Sequence, residues 1–115
     1  MNDTTMDQAR WRALADHDVA AVTALADRVH PGLPERPEVF RNRIGLFADG
    51  AIVLDTGAAI VGYGVAHPIE RLSPPPLDTI LDRLEPSADA FYIHDVVVAP
   101  AVSYTHLTLP TIYSV

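Results

Sequence analysis

The side chains with the clearest chemical potential sit in one stretch, Ala90-Phe91-Tyr92-Ile93-His94-Asp95-Val96-Val97-Val98-Ala99-Pro100-Ala101. It is an apolar run with a polar pair in its middle and reads as a buried strand. Histidine titrates near neutral pH, ordinarily at roughly 6.5, so His94 can take a proton from a nucleophile directly or through water. Side chains alternate along a strand, which puts Tyr92, His94, Val96 and Val98 on one face and Phe91, Ile93, Asp95 and Val97 on the other. Tyr92 can then assist His94 through a water or orient a substrate. An isolated buried carboxylate is costly, so Asp95 is expected to be structural, accepting bonds from loop N–H groups or from Arg41 or Arg43. His67 falls at a strand end, as a loop residue or a substrate contact. His17 and His30 flank helix termini, and His30 near a C-terminal end suits the helix dipole. No histidine has a partner at metal-ligand spacing, so no metal site is read. The chain has no cysteine, which excludes disulfides, thiolate catalysis and Cys-ligated zinc.

These residues need a scaffold, and the chain offers one. Asp16 is placed to cap a helix, with Asp18 in its first turn and Val19, Val22, Leu25, Ala26 and Val29 as its apolar stripe. His30-Pro31-Gly32 ends it. Pro34-Glu35 opens a second helix, with Val39, Phe40, Ile44 and Phe47 inward and Arg36, Arg41 and Arg43 in solvent; Asp49-Gly50 stops it. Residues 51–55 and 59–67 flank Thr56-Gly57 as a hairpin. Gly62 and Gly64, two apart on one face, mark a bulge or the close approach of another backbone. A proline-stiffened loop follows, then one or two helical turns over Leu77 to Leu84. The expected product is an α+β fold: two helices against a mixed sheet of about four strands, with Val53, Val61, Phe91, Ile93 and Val97 in the core.

At 115 residues the chain is at most one domain. Its hydrophobic content of 49% is ordinary for a globular protein and argues against disorder. No apolar run approaches the ~20 residues of a membrane helix, and the polar N-terminus is no signal peptide; a cytoplasmic home and no membrane partner are expected. The net charge is −7 and all eight basic side chains are arginines, the last being Arg83. That balance is poor for nucleic-acid binding, which draws its affinity from clustered positive charge.

The stretch from Ala90 to Ala101 closely resembles the fourth strand of the GNAT superfamily of acyl-CoA-dependent N-acetyltransferases. The order strand, two helices, three antiparallel strands resembles the first half of that fold. The resemblance covers most of residues 8–101, and its specific part is the last dozen. It implies a partial, truncated GNAT domain whose first strand lies around Ala9-Arg10-Trp11-Arg12. It implies acetyl-CoA as cosubstrate, its pantetheine arm paired with the backbone of Val96, Val97 and Val98 like an added strand. It implies a small-molecule amine as acceptor, attacking directly in its neutral form, with His94 as the base and Tyr92 beside it.

In the family an Arg- and Gly-rich turn and a long helix follow this strand and hold the cofactor's pyrophosphate. Here Val102-Ser103-Tyr104-Thr105-His106-Leu107-Thr108-Leu109-Pro110-Thr111 follows instead, with no glycine or arginine. That segment resembles a translated sequencing adapter. The expectation is therefore a disordered N-terminus over 1–7, the partial domain over 8–101, and a non-native tail over 102–115 in which His106 carries no function. Two other readings stand beside the transferase: a non-catalytic α/β module that binds a ligand or partner, and an acyl-CoA sensor.

Overall fold

The computed structural model describes residues 9–99. The expectations for residues 1–7 and 102–115 lie outside them. The architecture is α+β, two helices laid on one face of a four-stranded sheet. Strand β1 spans Arg10–Ala13, helix α1 Val19–Val29, helix α2 Pro37–Leu46, strand β2 Ala51–Asp55, strand β3 Ile60–Ile69 and strand β4 Ala90–Val98. The strands lie in chain order, β1-β2-β3-β4. Every pairing is antiparallel, so the sheet is not mixed. Among the described residues no helix is long and apolar enough to cross a membrane.

Helix α1 buries the stripe its spacing announces, Val19, Val22, Leu25 and Ala26. Its entry differs from the expected cap. Residues 16–18 form a 3-10 turn, and it is Asp18, not Asp16, whose carboxylate accepts the Ala15 N–H at 2.9 Å. Asp18 also receives two bonds from Arg12 at 2.8 Å, and no side chain caps the first turn of α1. Asp16 faces solvent, paired with Arg41.

Helix α2 begins at Pro37, three residues later than Pro34-Glu35 suggested. The reason is steric. The residue before a proline is driven out of the helical region, and Arg36 is extended, at φ −70° and ψ 153°. Glu35 is therefore left on an extended connection. Arg43, expected in solvent, is buried at 2% exposure.

The hairpin forms about Thr56-Gly57, with β3 running to Ile69, two residues beyond the expected end at His67. Gly57 takes φ +90°, a conformation glycine adopts without strain; Asp55 Oδ1 accepts its N–H, and Thr56 Oγ1 accepts those of Ala58 and Ala59. Gly62 marks a close approach, since a Cβ there would lie 2.8 Å from the Val97 carbonyl oxygen. The helix-facing core joins Val19, Val22, Leu25, Phe40, Val53, Tyr63, Val65 and Val97, with Phe40 edge-on to Tyr63. Each fully buried aliphatic side chain here contributes ~1.5–3 kcal/mol.

Residues 77–84 form no helix. Asp78 sits at φ +58°, which breaks a right-handed turn. Helix α2 supplies the partners that helical bonds would have provided. Asn42 donates to the Leu81 carbonyl and accepts its N–H, and Arg43 donates to the Thr79 carbonyl. The core assignments also need correction. Val53 and Val97 are buried, but Phe91 and Ile93 are 43% and 38% exposed on the opposite face. Val61 is half-buried.

Candidate functional site

A β-bulge builds the site. Asp95 pairs with Val65 while Ile93 pairs with Ala66, so His94 is an extra residue in β4. A bulge bends its strand and re-aims side chains. Strict alternation would separate His94 from Asp95; instead both line one cavity of about 270 Å³. The same register shift turns Phe91 and Ile93 away from the helices.

Ala26 and His30 reach the cavity from α1 and its C-terminus, and Leu33 and Glu35 from the connection to α2. Tyr63 comes from β3, Pro75 and Leu77 from the long loop, and Tyr92, His94 and Asp95 from β4. Glu35 is the residue that sequence reasoning missed. His94 Nε2 lies 3.0 Å from both of its carboxylate oxygens, and the two side chains are only 6% and 5% exposed. Glu35 Oε2 also accepts the Asp78 N–H at 3.1 Å. Burial by itself raises a carboxyl pKa. Here the His94 hydrogen bond, the Asp78 N–H and the nearby charges of His94 and Arg43 outweigh it, and Glu35 lies below the ordinary range. Glu35 is thus an acceptor, and His94 donates Nε2–H to it. His94 Nδ1 is buried without a hydrogen-bond partner among the described residues.

Asp95 has a different set of partners. Tyr63 donates its hydroxyl to Oδ2 at 2.6 Å, and His30 Nε2 lies 3.4 Å from Oδ1. Burial, with the Asp95 hydrogen bond and charge, pushes the Tyr63 hydroxyl far above its ordinary value, so it stays a donor. The expected partners of Asp95, Arg41 or Arg43, are committed elsewhere.

Tyr92 stands where it was placed relative to His94, with ring centroids 5.8 Å apart, and an equal distance separates it from His67. His67 is enclosed at 1% exposure rather than sitting in a loop. Its Nδ1 contacts the Pro68 carbonyl oxygen at 3.1 Å, and its Nε2 has no partner among the described residues. Burial holds its pKa below the ordinary value, helped by the charges of Arg43 and His94. Val97 and Val98 pack inward, while Val96 is exposed. Their backbones pair with Tyr63, Gly62 and Gly64 of β3, and among the described residues β4 is the last strand of the sheet.

Glu35 had a sequence signal, the two prolines that bracket Glu35-Arg36. A residue held extended between prolines can reach across to a neighbouring strand. Tyr63 had none beyond its place in an apolar strand. No family model and no curated protein gives a significant match to this chain.

Proposed function

We propose that this chain forms the amine-binding side of an acetyl-CoA-dependent N-acetyltransferase of the GNAT type. The observation that carries the reading is the junction in β4. A His94–Glu35 pair lines a cavity, and Val96, Val97 and Val98 follow after Asp95 on the strand that ends the sheet among the described residues. An edge strand offers backbone N–H and C=O groups to an added extended segment. The backbone of residues 96–98 therefore fits an arm that pairs as a strand does. The cosubstrate supplies the acetyl thioester.

The chain's own residues prepare the nucleophile. An ammonium has no lone pair, so an acceptor amine must lose a proton before it attacks. Glu35 holds Nε2–H of His94, which makes Nδ1 the ring's proton acceptor once the amine gains access to it. The resulting imidazolium lies against the Glu35 carboxylate, which stabilises it. Tyr92 stacks edge-on to the ring and keeps it in this orientation. A second reading, a non-catalytic small-ligand module, draws on the enclosure of Nδ1, which is closed to solvent in this state.

Calorimetry with acetyl-CoA, beside an assay of acetyl transfer to an amine, tests the proposal on the 115-residue chain. The transferase reading expects saturable acetyl-CoA binding and turnover of an amine. Binding of a small ligand with no acetyl-CoA affinity supports the module instead.

A further inference from the structure

We infer that the cavity beside His94 selects small monoamines, with the amine nitrogen held by Asp95 and a short apolar body against Tyr63 and Leu77. The inference rests on the transferase reading for its biological meaning but not for its test. Three observations carry it. The two carboxylates of the cavity are unequally occupied. Glu35 is buried and spends both oxygens on His94 and the Asp78 N–H. Asp95 is 21% exposed and holds one short bond, from Tyr63 to Oδ2, against a long 3.4 Å contact from His30 to Oδ1. A carboxylate has about four acceptor sites, so Asp95 has capacity left and is open to the cavity. A primary ammonium, with three N–H donors, matches it, and a charge-assisted bond of this kind is among the strong ones.

Size is the second observation. A volume of about 270 Å³ equals roughly nine waters at ~30 Å³ each. It admits an amine of fewer than about ten heavy atoms and lies below the ~300–1,000 Å³ of drug-sized sites. The third is that the 94%-buried His94 side chain (6% exposed) lines the same wall and its Nδ1 has no partner among the described residues. An amine seated on Asp95 is thus held beside a second titratable side chain of the cavity.

The test uses the 115-residue chain without acetyl-CoA. Histidine-ring NMR is titrated at pH 7.5 with cyclohexylamine, with cyclohexanol as the neutral match and spermine as the long polyamine. Cyclohexylamine is expected to saturate the His94 and His30 signals about tenfold more tightly than cyclohexanol, as one charge-assisted bond implies. Asp95→Asn should abolish that preference. Tyr63→Phe, which frees an Asp95 oxygen, should keep or strengthen it, and guards against a fold effect in the first variant. Equal affinity for amine and alcohol, absence of saturable amine binding, or retention of the preference in Asp95→Asn overturns the inference. Tighter binding of spermine at the same signals overturns the size selection. Amine selection without any acetyl-CoA binding leaves the inference standing while removing the transferase reading.

Discussion

Two arginines anchor clusters in this small protein, one half-exposed and one buried, and they meet opposite conditions. At the corner between β1 and α1, Arg12 gives Nε to Asp55 and both terminal nitrogens to Asp18, each at 2.8 Å, with a further bond to the Ala13 carbonyl. Asp18 in turn accepts the Ala15 N–H. Beneath β4, Arg43 is more deeply buried, yet its Nε and Nη2 have no partner among the described residues, and neither do His67 Nε2 and His94 Nδ1. The first cluster ties a strand to a helix and is complete. The second keeps open hydrogen-bonding valences in the interior, with His94 alone of the three lining the cavity, at the expense of stability. A satisfied buried network is what a corner needs; an unsatisfied one is what a site retains when its partners are water and ligand.

The largest effect expected of this contrast is on rate. His94→Gln should lower turnover by about 10²-fold or more, as loss of a general base does. Gln can still donate to Glu35, so the denaturation midpoint should hold. Steady-state kinetics beside urea unfolding checks both, and an unchanged rate removes the base assignment.

Next in size is Arg12→Met. Asp18, 4% exposed, is held at about 2 against an ordinary 3.8, first by the Arg12 hydrogen bonds and then, against the pull of burial, by the Ala15 N–H. Because Arg12 is 34% exposed, solvent screens the pair, and the expected loss is about 1–2 kcal/mol in urea unfolding. A carboxyl with a depressed folded pKa stabilises above its unfolded value and loses that contribution as pH falls. The wild-type advantage over Arg12→Met should therefore be full above pH 4 and fade toward pH 2.

A histidine supplies the pH signature of the second cluster. Burial keeps His67 below its ordinary 6.5, so its neutral form belongs to the fold and its proton to the unfolded chain. Stability should fall as pH drops below about 6.5, well before the acids titrate. Thermal melts at stepped pH should show that slope, and His67→Gln should flatten it. A melt independent of pH between 5 and 7 would break the assignment.

The smallest expected effect sharpens the comparison most. Burial drives the pKa of Arg43 down despite the compensating charges of Glu35 and Tyr92, and a buried cation with unmet donors contributes little net stability. Arg43→Met should leave unfolding free energy within about 1 kcal/mol of wild type. A loss exceeding that of Arg12→Met would show that the two clusters are alike.

Much of the scaffold is legible from local pattern. The α1 stripe, the Thr56-Gly57 hairpin and the strand over 90–98 each rest on interactions within a few residues, where period and turn chemistry decide. Two of the misreadings share one cause. Leu77, Ile80, Leu81 and Leu84 fit a helical template, but Asn42 and Arg43, some forty residues earlier in the chain, take the backbone groups that a helix would use. Arg43 looked like a solvated charge because helical spacing cannot show which loop folds over it. Pro37 was a local signal for the true start of α2, outweighed in the reading by Pro34.

The sequence by itself determined which side chains exist for chemistry. It fixes one histidine in an apolar strand, an acid beside it, no cysteine and no lysine, and elements whose hydrophobic periods commit them to helix or strand. Tertiary structure decided which of these meet. The extra residue in β4 arises from pairing with β3 and puts His94 and Asp95 into the same cavity. The Glu35–His94 contact spans 59 positions, and the Tyr63–Asp95 contact spans 32. Alternation along a strand is a local rule, but a bulge is a property of two strands in register, and no single strand carries it.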